Sequence, residues 1–304
     1  DGKYLLAGNN YSGNVNADVA VKLVRLQVDG SRDPTFGANG IKEVSITGGG
    51  LDVNGAIDVK RSPDGAMHVG FRYKDGSYGI ARLLASGDLD PGFGAGGIAK
   101  TAWPSVGMVA VRTFAFRSDG RIYGFGCKAA AAALSARTDV FFQFTKTGSP
   151  DPNFGTSGVQ VLTRGAAAAA GEFYAGSVVE RANGNLVASV IDNVPSAYAS
   201  SLIGVTADGR NPDPAFSGFG GTTVVGSQAL AAFSMRENGG FVVLKGPVTT
   251  PQLVALTPAG APDGTFINAL SPSNTGSNPI PLTITPTDHR RWLVHVGTLL
   301  RIWD

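Results

Sequence analysis

One cysteine in 304 residues excludes an internal disulfide and a metal site built on thiolates. Cys127 is expected to pack as a small apolar residue in a strand. Charge is scarce as well: charged residues make up 16% of the chain and the formal net charge is +2, against about 25% charged residues in average soluble proteins. No strongly basic surface is on offer, so nucleic acid is not an expected partner. No run approaches the roughly eighteen apolar residues that cross a bilayer as a helix, so the chain is not expected to be transmembrane. It opens on DGKYLLAG, with neither an initiator Met nor a signal-peptide pattern. Histidine is scarce too. His68 and His295 hold matching places in two HVG segments and His289 lies near a turn, short of the three or four convergent ligands that zinc needs. There is no G-x-S-x-G elbow, no H-E-x-x-H and no P-loop. No metal, cofactor or catalytic residue is therefore expected.

Glycine is abundant: 43 residues, spread at intervals rather than in tracts. Many belong to one returning string, DPTFGANG from Asp33, DPGFGAGG from Asp90, DPNFGTSG from Asp151, DPAFSGFG from Asp213 and a worn DGTFINAL from Asp263. These starts lie 57, 61, 62 and 50 residues apart, and a period of that length dictates a repeat architecture. An Asp-Gly or Asn-Gly pair falls between successive copies, at Gly2, Gly65, Gly120, Gly184 and Gly239, and such pairs close β-hairpins.

Each unit reads as four short strands, designated A to D. In the second unit they are AIDVKRSP, AMHVGFRY, YGIARLLA and GIAKTAW. No helix of ordinary length intrudes. Four-stranded antiparallel units cannot each bury both faces, so they pack side by side, and radial closure removes their exposed edges. The expectation is an all-β, six-bladed β-propeller forming a single domain over residues 1–304. Its first blade lacks strand A and its sixth lacks strand D. One stretch of roughly twenty-five residues before Asp1, estimated from the repeat length, would supply both.

The pattern DGKYLLAG, a loop, then VRLQVDGSRDPTFGANG resembles the delta-60 repeat, a bacterial tandem repeat with a DGK-(apolar)-AG segment followed by RL-x-x-DG-x-x-D-x-x-FG-x-x-G. The match is close in the first three units and decays through DPAFSGFGG and DGTFINAL. The resemblance implies a propeller-like exported or surface protein, in a family that carries no general enzymatic assignment. Low charge and abundant Gly, Ala, Ser, Thr and Asn fit a secreted, periplasmic or cell-surface location.

In each motif the Asp should accept backbone N–H groups of its own turn while the Pro fixes φ. The Phe (Phe36, Phe93, Phe154, Phe216) should fill the crevice between neighbouring blades. Calcium at these turns is the competing reading, weakened by a single dependable carboxylate per copy. Arg61, Arg117, Arg181 and Arg236, near the ends of A strands, are expected to pair with the motif Asp residues. Function is then expected on the opposite face, on the B–C and D–A loops, where the units differ. Tyr11, Tyr73, Tyr78, Trp103 and Tyr198 are the candidate binding residues there, suited to a protein partner or a glycan. Alanine tracts at residues 129–133 and 166–170 offer a small apolar patch on the same face. Asp58 and Glu180 on A strands, with Glu172 just before one, are fewer acids than a lactonase or glycosidase needs. The expected role is a non-catalytic scaffold within a larger extracellular assembly, with a propeller hydrolase or a lectin as the alternative.

Overall fold

The computed structural model describes residues 2–9, 20–46, 58–101, 110–129, 136–165, 172–194, 197–215, 221–223, 230–236, 238–245, 252–269, 282–288, 291–296 and 299–303. Among these residues there is no helix, and the strands group into six sheets in chain order. The first holds β1 (Tyr4–Asn9), β2 (Val21–Leu26) and β3 (Ile41–Val44). The second holds β4 (Asp58–Arg61), β5 (Met67–Arg72), β6 (Tyr78–Leu83) and β7 (Ile98–Lys100). The third holds β8 (Ala110–Phe116), β9 (Ile122–Ala129), β10 (Ala136–Phe144) and β11 (Val159–Gly165). The fourth holds β12 (Glu172–Glu180), β13 (Leu186–Val194), β14 (Ala197–Val205) and β15 (Gly221–Thr223). The fifth holds β16 (Leu230–Met235), β17 (Phe241–Lys245), β18 (Gln252–Leu256) and β19 (Pro262–Ala269). The sixth holds β20 (Leu282–Asp288), β21 (Arg291–Val296) and β22 (Leu299–Trp303).

Strands follow one another across each sheet in sequence order. The expected four-strand cycle is therefore met in the second to fifth sheets, with strands B to D in the first and A to C in the sixth. β19 departs from the expected form: it begins at Pro262, inside the worn copy DGTFINAL, so that string runs as strand where DPTFGANG forms a turn.

By contact density the chain forms two compact units, residues 1–126 with 140–160, and residues 127–139 with 161–304. In the first, Val21, Leu23, Val69, Phe71, Ala81 and Leu83 share a buried cluster with Phe36. In the second, Val187, Leu202, Phe233, Phe241, Val243 and Leu256 do the same. Alternate residues of these strands carry the apolar side chains, as a sheet covered on a face requires. Cys127 is a buried thiol in β9, as expected.

Candidate functional site

The motif turns are built alike. The N–H of the residue two beyond the Asp donates to its Oδ1: Thr35 to Asp33 at 3.0 Å, Gly92 to Asp90 at 3.0 Å, Asn153 to Asp151 at 2.9 Å and Ala215 to Asp213 at 3.0 Å. In the first three motifs the Gly after the Phe has positive φ, and a Cβ there would lie 2.2 Å from the Ile41 carbonyl oxygen at Gly37, 2.1 Å from the Ile98 oxygen at Gly94 and 2.3 Å from the Val159 oxygen at Gly155. Only glycine fits such a position.

The motif Phe joins one sheet to the next. Phe36, Phe93 and Phe154 are fully buried. Phe36 lies against Gly87 in the C–D turn of the second sheet, and Phe93 against Gly148 in the C–D turn of the third. Gly94 N–H donates to the Thr147 carbonyl at 2.7 Å, and Arg25 Nη1 to the Ala85 carbonyl at 2.8 Å, so polar bonds cross the same joints. Phe216 lies outside the described residues.

The arginine pairing holds in two sheets of four, and register explains the difference. Arg181 Nη1 meets Asp213 Oδ2 at 2.7 Å, and Arg236 Nη1 meets Asp263 Oδ2 at 2.8 Å. In the third sheet Gln143 intervenes: Arg117 Nε donates to its Oε1 at 2.5 Å, its Nε2 donates to Asp151 at 2.6 Å, and Arg121 stands 3.5 Å from the same carboxylate. In the second sheet Arg61 does not pair with Asp90; its Nε donates to the Gly65 carbonyl at 3.1 Å. The hairpin bonds show why: Arg117, Arg181 and Arg236 donate their N–H to residues 121, 185 and 240, and the residue that does so in the second sheet is Ser62. Arg61 is one residue out of step, and a step of one reverses the face.

Strand C makes good the loss. Position by position, Arg25, Arg82, Gly204 and Ala255 face Leu5, His68, Val187 and Val242 across the B–C pairs. Where this site holds arginine, that arginine serves the Asp: Arg25 Nε lies 2.7 Å from Asp33, and Arg82 Nε lies within ion-pair distance of Asp90 at 3.3 Å, though not aligned as a hydrogen bond. Where it holds Gly204 or Ala255, the strand A arginine occupies the space. Thr35, then Lys3, then Arg25 hold the Asp33 carboxyl well below the usual carboxylate range. Its oxygens accept from Thr35 and Arg25 with Lys3 3.0 Å away, so the carboxylate is committed to structure rather than poised for calcium.

Of the five aromatic candidates for the loop face, two are placed otherwise than expected. Tyr73 and Tyr78 are 2% and 0% exposed. The β5–β6 connection is a tight turn in which Tyr73 N–H donates to Ser77 O at 2.9 Å and Gly76 N–H to Tyr73 O at 2.9 Å, which folds both rings inward. Tyr73 packs on Phe71 with the Lys100 ammonium 4.0 Å from its ring centre, and burial with the Asp75 charge raises its hydroxyl to about 12. Among the described residues the Tyr78 hydroxyl meets no hydrogen-bond partner. It fills the space over Gly70, where a Cβ would approach it to 2.1 Å. Tyr11 and Trp103 lie outside the described residues; Tyr198 is in β14, with its side chain outside them. Both alanine tracts lie wholly or mostly outside them.

Sequence reasoning did not foresee a polar cluster beside Tyr78. Asp58 faces Gly70 across β4 and β5, Thr113 Oγ1 of β8 donates to Asp58 Oδ2 at 2.7 Å, and Lys60 Nζ lies 3.5 Å from the same oxygen. Glu172 and Glu180 belong to β12. His68 is buried between Phe93 and Phe116, with ring centres at 5.4 and 4.9 Å. Burial first, and the Arg82 charge, push its pKa down to about 4, so it is a neutral packing residue at pH 7. His289 and the His295 side chain lie outside the described residues.

These features define an all-β protein of repeated antiparallel sheets, the first three tied in order by Phe-Gly joints, with Arg-Asp pairs inside individual sheets. The family described as "Domain of unknown function (DUF5122) beta-propeller" matches residues 1–36, which span β1, β2 and the first motif to Phe36. No curated protein matches the sequence. Among solved structures, the chain is similar to Aleuria aurantia lectin at 10% identity and a TM-score of 0.47, covering 100% of this chain and 95% of the lectin. It is similar to PorZ, a bacterial surface component of the type-IX secretion system of Porphyromonas gingivalis, at 12% identity and 0.43, covering 96% and 44%. Prolyl oligopeptidase B from Galerina marginata matches at 10% and 0.46, where the chain covers 96% of itself and spans 37% of that enzyme. At such scores these likenesses carry no argument about activity. No helix among the described residues is long and apolar enough to cross a membrane.

Proposed function

We propose that the chain is a six-bladed β-propeller forming a single domain, and that it serves as a non-catalytic, exported binding subunit in a larger assembly. The observation that carries this reading is the division of labour within each sheet. The ends that hold the A–B and C–D turns are consumed by structure: the motif Asp, Phe and Gly bond to one another, to arginine and to the next sheet. The B–C and D–A connections differ from sheet to sheet in length and sequence, which is where a rigid scaffold carries recognition. Burial of Tyr73 and Tyr78 leaves Tyr11, Trp103 and Tyr198 as the proposed contact residues.

The test is native isolation without denaturant, followed by size analysis. The protein is expected in a complex well above 31.1 kDa, and the combined variant Tyr11→Ala, Trp103→Ala, Tyr198→Ala is expected to leave it with the melting temperature unchanged. A wild-type protein that runs alone as a monomer overturns the scaffold reading. The alternative, a hydrolase or a lectin, draws on Asp58, Lys60 and Thr113, which bring a carboxylate, an ammonium and a hydroxyl to one place. Saturable binding or turnover of a glycan, lost in Asp58→Asn, would favour it.

A further inference from the structure

The joint between the second and third sheets differs from the joint before it at matched positions. In the first joint Arg25 Nη1 crosses to the Ala85 carbonyl at 2.8 Å and ties strand C of one sheet to the C–D turn of the next. Arg82 holds the same strand C site in the second sheet, and Lys146 stands two residues before Gly148 as Ala85 stands two before Gly87. The crossing is not repeated. Arg82 Nη2 turns instead to Asp64 of its own sheet at 3.0 Å, with its Nε 3.3 Å from Asp90. Among the described residues none accepts a hydrogen bond from Arg82 Nη1, and none pairs with the Lys146 ammonium. Between the two sheets a cleft of about 360 Å³ is left, lined by Asp64, His68, Arg82, Ser118, Asp119 and Lys146 among others. Counted from the turn glycines, the first joint has Leu5 and Ala85 where this one has His68 and Lys146, so the change is from apolar to polar.

The charged residues around the cleft are two of each sign, Asp64 and Asp119 against Arg82 and Lys146. A dianion or a dication would meet two like charges there, whereas a molecule with one charge of each sign meets a partner for both. His68, buried between Phe93 and Phe116, adds no charge at pH 7. We propose that this cleft binds a small zwitterion of the α-amino acid class, its carboxylate taken by Lys146 Nζ and Arg82 Nη1 and its ammonium by Asp119. The Asp119 oxygens accept from the Arg121 N–H at 3.0 Å and from Arg121 Nε at 2.7 Å, and a carboxylate has further lone pairs for an ammonium. Asp64 is more fully engaged, since it accepts from Ser62, Ala66 and Arg82. The site lies among the A–B and C–D turns, so it goes beyond the loop-face reading and does not depend on it.

The common α-amino acids, titrated one by one into the ¹⁵N-labelled 304-residue protein, test this through amide chemical shifts, with acetate and methylammonium as single-charge controls. At least one amino acid is expected to give saturable shifts centred on the Ser118, Asp119, Gly120 and Lys146 amides, with a dissociation constant of about 10 mM or below. Either control should bind about tenfold more weakly, for want of the second charge pair. The Lys146 side chain holds no bond in the fold, so Lys146→Ala should leave the urea midpoint unchanged while weakening binding about tenfold, and Lys146→Arg should keep it within about threefold. The proposal is overturned if no amino acid saturates these shifts, if acetate binds as tightly as the best amino acid, or if Lys146→Ala binds unchanged. Failure of this site leaves the loop-face reading standing, since that test uses different residues.

Discussion

The sharing of one guanidinium between two strands can be tested by moving it. In the fourth sheet Arg181 serves Asp213, whose side chain is 2% exposed, through one bond of 2.7 Å, while Ala215 N–H holds the other oxygen. Arg181→Ala removes the partner of a buried carboxylate and leaves half of it unsatisfied, which should cost about 3 kcal/mol. Gly204 holds the strand C site filled by Arg25 and Arg82 in the first two sheets. Gly204→Arg alone adds a second guanidinium to a space already taken, at about 1–3 kcal/mol. Combined, the new arginine inherits the empty place beside Asp213. The double variant should then be at least 1.5 kcal/mol more stable than the two single losses predict when added. Urea midpoints followed by far-UV circular dichroism measure all four corners of the cycle, provided the slopes stay constant. Additivity within about 0.5 kcal/mol would refute the reasoning, because it would mean that the two sites do not address the same carboxylate.

Three further outcomes follow from the joints and the buried groups. His68, depressed to about 4 in the fold from an ordinary 6.5, stays neutral where the unfolded chain takes up a proton; stability is full above pH 6.5 and falls as pH drops toward 4, by about 3 kcal/mol. That acid loss should shrink in His68→Phe, as read from urea midpoints at pH 7 and 4.5; an unchanged slope with pH would remove His68 as its source. Phe36→Ala should cost about 3–5 kcal/mol as a buried aromatic truncation, and Gly87→Ala should also destabilise, since its Cβ would come within 2.7 Å of the Phe36 ring; a neutral midpoint for either would mean that the joint bears no load. Cys127, a buried thiol, should resist a thiol reagent in the native state and react at once in denaturant; rapid native labelling would contradict its place in β9.

Much of the fold is legible because its signals are periodic and local. Asp-Gly and Asn-Gly pairs recur at hairpins whose N–H and carbonyl groups close as expected, as at Gly65, Gly120, Gly184 and Gly239, and each motif Asp organises its own turn. The arginine pairing was legible only in part. Counting from the turn glycine, Arg61 lies four residues before Gly65 while Arg181 lies three before Gly184, and in a strand that difference of one decides which face a side chain takes. Its consequence, Arg82 standing in from strand C, is a contact across strands that no local string announces.

The binding candidates were harder to read for a related reason. Tyr73 and Tyr78 flank Asp75-Gly76, and their neighbourhood has the composition of an exposed loop: Lys74, Asp75, Gly76 and Ser77. Ser77 N–H and hydroxyl both bond to Asp75 Oδ1, which tightens the connection into a minimal turn and hands the flanking tyrosines to the two strands. Strand residues alternate between faces, so two large rings at the mouth of a tight hairpin fall into the packed interior, where Gly70 and Gly79 leave room for them. Loop length therefore decides whether an aromatic is offered to a partner or to the core. By that criterion the B–C connection of the second sheet is too short to present a contact surface. The connections at residues 10–19 and 102–109, which carry Tyr11 and Trp103, are longer in sequence, so under the proposed binding role the substitutions Tyr11→Ala and Trp103→Ala should weaken partner binding more than changes to Lys74 or Ser77 between β5 and β6.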